Sequence, residues 1–172
     1  MKKFFALFIM MTAISVSTMA QKIVFVDTDK VLETMTEYKE AQKQIDQYSA
    51  DWQKQVKQKY DEIDEMFRAY QAEEVLLTDD LRQKRQDDIV AKEKQLKEFQ
   101  KQKFGPKGDL FKKRQELVKP VQDQIYAAIS TMAKRKGYDF VLDKSSGVSI
   151  LFANDEYDKT CEVMESLGLT CN

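Results

Sequence analysis

Apolar residues follow two patterns along this chain, a short continuous run near the start and a long, regularly spaced stripe after it. The run of four apolar residues at Ile23–Val26 indicates a buried β-strand. Beyond it, neither glycine nor proline occurs before residue 105. Apolar positions recur there every three or four residues, the period of one face of a coiled-coil helix. These positions are Tyr38, Ala41, Ile45, Tyr48, Trp52, Val56, Tyr60, Ile63, Phe67 and Tyr70.

The stripe is interrupted at EEVLLTDDLRQ, which carries the marks of a new helix start. Thr78 is a suitable N-cap, and Asp79 and Asp80 suit the positive end of a helix. A sparser stripe follows at Leu81, Ile89, Leu96 and Phe99. We therefore predict an antiparallel helical hairpin over residues 37–118, with its tip near residues 76–79. One uninterrupted helix is the alternative, because no glycine or proline forces a turn here.

The returning arm contains one strong break, FGPKGD at residues 104–109. Glycine and proline together predict a kink or short loop there, opposite the aromatic residues at 48–52. A phosphate-binding loop is excluded, because the preceding strand and the following Lys-Ser/Thr are both missing. After Pro120, a short amphipathic helix is predicted, with basic residues in its last turn and Gly137 just beyond its end.

The remaining C-terminal sequence predicts two strands, residues 138–143 and 148–153, joined by a turn at KSSG, and then a final helix. With a first strand at about residues 22–27, they would form a small sheet in a body made of residues 21–36 and 119–172. The fold class is thus a mostly helical α+β protein with a protruding hairpin. Open sheet edges favour association with further copies, although a monomer core is the alternative. The core or interface candidates are Ile23, Phe25, Phe140, Leu142, Ile150 and Phe152.

The first twenty residues have the composition of an export leader. Lys2 and Lys3 precede an apolar stretch that is too short to span a bilayer, and STMA at residues 17–20 ends in a cleavage site suited to signal peptidase. We predict cleavage before Gln21 and a location outside the cytoplasm; a retained anchor is the alternative. Loss of the two lysines changes the formal net charge from −1 to −3. This mild acidity gives no global attraction to nucleic acid or anionic lipid.

The chain offers little material for catalysis. It has no histidine, which excludes histidine bases and histidine metal sites. Acid pairs such as Asp87 and Asp88 fall on a long helix and are best explained as solvent-facing. Cys161 and Cys171 fit either a local disulfide or two free thiols, and two cysteines alone do not make a zinc site. We predict no enzyme activity, no metal and no cofactor.

Three segments together resemble the Skp/OmpH family of periplasmic chaperones. These are KIVFVDTDKVLETMTEYKEAQKQID, the long charged hairpin and KGYDFVLDKSSGVSILFANDEYD, of which GYDFVLD is the most specific part. FGPKGDLFKKRQELVKP is similar to the longer Bacteroides-type members. The resemblance implies a periplasmic homotrimer whose hairpins surround a cavity. It also implies an activity, the nucleotide-independent holding of unfolded outer-membrane β-barrel proteins.

Such an activity needs apolar side chains exposed along the hairpin. The client-binding candidates are Met66, Phe67, Tyr70, Val75, Leu76, Leu77, Phe99 and Phe104. Packing within the hairpin is the alternative for each. The returning arm is basic and the distal outgoing arm acidic, so client attraction by charge is also considered. Since the exported chain is acidic overall, we assign no residues to membrane or lipopolysaccharide contact. A structural spacer of the cell envelope, without chaperone activity, is the second hypothesis.

Overall fold

The computed structural model describes residues 21–147 and 152–171. The predicted leader at 1–20 and the candidate Ile150 lie outside these residues. Along the chain the elements are β1 (Ile23–Val26), α1 (Thr28–Thr34), α2 (Thr36–Glu73), a 3₁₀ turn (Glu74–Leu76), α3 (Asp79–Phe104), α4 (Asp109–Lys136), β2 (Phe140–Asp143), a second 3₁₀ turn (Asp155–Tyr157) and α5 (Thr160–Ser166). The predicted fold class, a mostly helical chain with a long hairpin and a small terminal sheet, is confirmed.

The hairpin reverses between α2 and α3. The side chain of Thr78 caps α3, because its Oγ1 accepts a hydrogen bond from the backbone N–H of Leu81 at 3.4 Å, as the sequence predicted. Asp79 and Asp80 occupy the first turn, where a carboxylate interacts favourably with the helix dipole. The alternative of one uninterrupted helix is therefore wrong. The helix cap formed by Thr78 thus allows the chain to reverse here without glycine or proline.

The returning arm consists of two helices separated by residues 105–108. The α3 helix ends at Gly105, whose N–H donates to the carbonyl of Lys101 at 2.9 Å. The backbone is so close here that a Cβ on Gly105 would collide with that carbonyl oxygen. The predicted short break in the arm is confirmed. The arm can close up at this point because glycine has no side chain.

The prediction that a short helix begins after Pro120 is wrong. Pro120 lies inside α4, which runs without interruption from the hairpin into the body. Proline removes one backbone donor and disfavours the helix interior. Here the many remaining hydrogen bonds of a 28-residue helix and the burial of Val121 and Ile125 outweigh that cost. Gly137 ends the helix in the left-handed conformation at φ 68°, as predicted.

Strands from the two ends of the described chain meet in a parallel pair. Ile23 is the register partner of Phe140, and Val26 that of Asp143. The N–H of Asp139 donates to the carbonyl of Lys22, and that of Lys144 to the carbonyl of Val26, each at 2.9 Å. Of the predicted third strand, residues 152–153 are not in a strand, and residues 148–151 lie outside the described chain. The sheet of the described residues is thus two-stranded.

The body core forms where β1, α1, α4 and α5 pack together. Its fully or nearly fully buried side chains are Val26, Val31, Leu32, Met35, Val121, Ile125, Met132, Val163 and Met164. Cys161 and Cys171 are joined by a disulfide and are not two free thiols in this structure. Leu169 and Cys171 pack against the core, which holds the end of the chain on the body.

Most of the predicted core candidates do not lie in this core. Phe25 is buried, but Ile23, Phe140, Leu142 and Phe152 are exposed. Alternate residues of a strand point to opposite faces. Val26 and Val141 therefore contact the helices, while Ile23, Phe140 and Leu142 share the other face. Phe25 also lies on that other face but is buried, with the Lys144 ammonium 5.5 Å from the centre of its ring. The exposure of the other described candidates in the single chain excludes the monomer-core alternative for them, and their assignment to an oligomer interface stays a prediction.

Candidate functional site

A thin apolar core holds the distal hairpin together. Only Ile63, Tyr70, Ile89 and Leu96 are buried there, with Val56, Met66 and Leu77 packed beside them at half burial. Because an α-helix rises about 1.5 Å per residue, these side chains are spread over tens of ångströms of paired helix. The hairpin therefore has much surface and little interior.

The eight client-binding candidates divide into three groups by burial. Val75 and Leu76 at the tip are 87% and 83% exposed, and Phe67 is 46% exposed. Four others, Met66, Leu77, Phe99 and Phe104, are half-buried. Tyr70 alone is buried, at 7% exposure. The tip and one position on α2 thus present apolar side chains directly to solvent.

Tyr70 belongs to the packing of the hairpin and not to its outer surface, so its assignment to client binding is corrected. Its hydroxyl donates to Glu74 at 2.9 Å and accepts from the side-chain amide of Gln86 at 2.6 Å. Burial, followed by the hydrogen bond to Glu74, raises the pKa of the Tyr70 hydroxyl above its ordinary value. The residue links α2 to α3 close to the tip.

Three further exposed apolar residues on the distal hairpin were not among the candidates: Tyr60, Leu81 and Val90. Tyr60 is on the apolar stripe, yet it is 64% exposed. Two successive steps of four residues, from Trp52 to Val56 and on to Tyr60, each advance past a full turn of 3.6 residues. The stripe spacing could have identified Tyr60 as a residue displaced toward solvent.

An aromatic cluster accompanies the break in the returning arm. The rings of Tyr48 and Trp52 are 5.7 Å apart, and Phe104 meets Trp52 edge-on at 6.3 Å. The Lys103 ammonium lies 4.9 Å from the centre of the Trp52 ring and 2.7 Å from a carboxylate oxygen of Asp109. Lys103 and Asp109 are on the two sides of the loop, so their ion pair spans the joint. Their hydrogen bond lowers the pKa of the Asp109 carboxyl.

Charge is segregated between the two arms of the hairpin. Residues 61–88 contain ten carboxylates and four basic side chains, whereas residues 92–119 contain ten basic side chains and four carboxylates. The acidic excess comes from the distal outgoing arm, because residues 79–88 at the start of α3 contain four carboxylates and three basic side chains. Where the regions meet, Lys92 donates to Glu62 at 2.7 Å, and this bond lowers the pKa of the Glu62 carboxyl.

A hydrogen-bond network in the body is centred on Asp143. The Asp143 carboxylate accepts from the Thr28 hydroxyl at 2.8 Å and from the Ser145 hydroxyl at 2.8 Å. Burial acts to raise the pKa of Asp143, but these hydrogen bonds outweigh it and hold the pKa below its ordinary value. Both carboxylate oxygens have hydrogen-bond partners. The network therefore has a structural role, which is to connect β2 to the start of α1.

Residues 21–147 and 152–171 contain no group of three or more acidic or cysteine side chains placed to hold a metal ion. None of the helices formed by these residues is long and apolar enough to cross a membrane.

Comparison with known proteins identifies a family and solved structures of similar fold. A family model described as Outer membrane protein (OmpH-like) matches residues 22–167. No curated protein matches the chain. A crystal structure of a candidate outer membrane chaperone (OmpH-like) from Caulobacter crescentus superposes with a TM-score of 0.68 at 12% identity, covering 86% of this chain and 84% of that one. At this identity the superposition establishes a shared fold.

Proposed function

This chain belongs to the OmpH-like family of outer membrane proteins, and from that premise we propose that it is a periplasmic chaperone. It would bind unfolded outer-membrane β-barrel proteins between its helical hairpins and keep them soluble until insertion. The solved relative described as a candidate chaperone supports the proposal through its fold. The proposed holding activity requires no nucleotide, metal or other cofactor.

The observation that carries the proposal is the exposure of large apolar side chains on a thinly packed hairpin. Val75 and Leu76 are almost fully exposed at the tip, and Phe67 is exposed along the shaft. An unfolded client is held best by many weak contacts, because binding at one of them raises the effective concentration at the next. A long arm with scattered apolar groups supplies such contacts.

We also propose that three copies assemble through the body. Ile23, Phe140 and Leu142 form an exposed apolar face on the sheet, and Phe152 is 88% exposed. Contiguous apolar surface of this kind favours burial against another copy. The partners of the chain would then be itself and its clients, with no role for nucleic acid.

The test uses the chain exported with its own N-terminal segment and purified from the periplasm. Mass spectrometry checks for a start at Gln21. Light scattering after size exclusion measures the mass alone and after dilution of a urea-unfolded β-barrel protein. A trimer and a soluble trimer–client complex are expected. Aggregation of the client beside an intact trimer would overturn the chaperone proposal and favour the structural spacer.

A further inference from the structure

A small groove crosses the distal hairpin between α2 and α3. Ile63 and Ile89 form its buried floor, and the exposed rings of Tyr60 and Phe67 flank it on α2. Its volume is about 210 Å³. Pockets for drug-sized ligands usually have volumes of about 300–1,000 Å³. This groove is smaller, so it suits one large side chain of a longer chain.

The rim of the groove is acidic. Asp64 and Glu93 complete its lining, which contains no basic residue. Asp64 pairs with Arg68 at 2.8 Å. In the part of the chain that the structure describes, Glu93 makes no ion pair. A carboxylate beside an apolar floor is thus available to an incoming cation.

We propose that this groove binds extended segments of unfolded protein in which an aromatic residue stands next to a lysine or arginine. The aromatic ring would lie over Ile63 and Ile89 between Tyr60 and Phe67. The neighbouring cation would reach Glu93. The inference rests on the proposed function for its occupant, and it specifies which client segments the distal hairpin prefers.

Both the charge around the groove and its aromatic side chains favour a segment that contains an aromatic residue next to a cation. Residues 61–88, which run from the groove to the tip and back, have six more carboxylates than basic groups, so their field attracts a cationic segment and repels an acidic one. Exposed aromatic side chains favour offset or edge-on contact with another ring. An aliphatic segment would lack the ring contacts, and an acidic segment would meet Asp64 and Glu93.

Labelled unstructured peptides of 24 residues test the proposal by fluorescence anisotropy with the intact protein. One peptide carries four Phe-Lys pairs, a second Phe-Glu pairs and a third Ser-Lys pairs. The Phe-Lys peptide is expected to bind at least about threefold more tightly than the Phe-Glu peptide, as one or more exposed ion pairs would give. It should also bind more tightly than the Ser-Lys peptide, which lacks the aromatic rings. Glu93→Gln should reduce the preference for Phe-Lys over Phe-Glu. Glu93→Lys should reduce it further.

Matched variants separate the groove from general surface effects. Glu98→Gln makes the same chemical change on the same helix outside the groove and should leave the preference unchanged. Phe67→Ser should weaken both Phe-bearing peptides, whereas Tyr126→Ser, an exposed aromatic of the body, should not. Helical circular dichroism verifies that each variant is folded.

The outcomes distinguish this inference from the chaperone proposal. If the protein keeps the unfolded barrel soluble but binds Phe-Lys and Phe-Glu peptides equally, the groove assignment is overturned and the proposed function stands. Equal effects of Glu93→Gln and Glu98→Gln would also overturn it. A Glu93-dependent preference in a protein that fails to hold the barrel would support the groove and contradict the chaperone.

Discussion

Two tyrosines of α2 show how position on a helix decides the role of a side chain. Tyr60 and Tyr70 both fall on the apolar stripe, but Tyr60 is exposed and Tyr70 is buried. Tyr70 also satisfies its hydroxyl with Glu74 and Gln86, which a buried polar group requires. The same residue type therefore serves as surface in one place and as a cross-arm link in the other.

Tyr70→Phe should lower the free energy of unfolding by about 1 kcal/mol, because it leaves Gln86 and Glu74 without the shared hydroxyl. Urea unfolding followed by circular dichroism, at a fixed protein concentration, measures the change. Tyr60→Phe is the control and should leave the midpoint unchanged. Equal midpoints for the two variants would contradict the structural role of the Tyr70 hydroxyl.

Asp143 makes the body sensitive to acid. Its pKa in the folded chain lies below its unfolded value, which is about 3.9 for an aspartate. Because the unfolded chain therefore binds the proton more readily, the stability contributed by the network is present above about pH 5 and is lost as the pH falls through the folded pKa.

Asp143→Asn should consequently lower the melting temperature at pH 7 and reduce its fall between pH 5 and pH 3. Thermal unfolding at several pH values checks this, with exposed Asp51→Asn as the control. If the melting temperature of the variant falls as steeply between pH 5 and pH 3 as that of the unsubstituted protein, other carboxylates cause the acid sensitivity.

At the scale of elements, the joint between α3 and α4 is held by contacts of a single lysine. The loop at residues 105–108 would be free to bend if nothing spanned it. Lys103 bridges it by pairing with Asp109 while lying over Trp52 on the opposite arm. One cation thus links α3 to both α4 and α2.

Lys103→Met should loosen this joint, because it removes the ion pair and the cation–π contact together. Trp52 is the only tryptophan of the chain, so its fluorescence reports on the site directly. We expect its emission to shift to longer wavelength as the ring gains water. Lys107→Met, a change within the loop itself, is the control. Identical spectra for the Lys103 variant and the unsubstituted protein would contradict the bridging role.

At the scale of the whole molecule, exposed apolar side chains lie both on the body and along the hairpin. The body presents Ile23, Phe140 and Leu142 on its sheet, and the hairpin presents Phe67 along its shaft and Val75 and Leu76 at its tip. We therefore propose that the body carries assembly and that the hairpin carries client contact.

Phe140→Asp tests the assembly proposal. A charge on the exposed sheet face should reduce the mass in light scattering from three chains to one, because a buried unpaired carboxylate is strongly unfavourable. Tyr126→Asp is the matched control, since Tyr126 is an exposed aromatic on α4. A trimer that persists in the Phe140 variant would place the interface elsewhere.

The sequence by itself determined the features that depend on neighbouring residues. Apolar spacing indicated the long α2 helix, Thr78 with the following aspartates marked the start of α3, and Gly137 marked the end of α4. The family resemblance rested on motifs of the same local kind. Period and capping are properties of short segments, so they can be identified without knowing the fold.

Tertiary structure decided which face of each element is covered. It brought the ends of the described chain into one sheet and left Phe140 outside the core. It carried α4 through Pro120, because packing on the body outweighed a local preference. It also buried Tyr70 and exposed Tyr60. Burial depends on what packs opposite, and that partner lies far away along the chain.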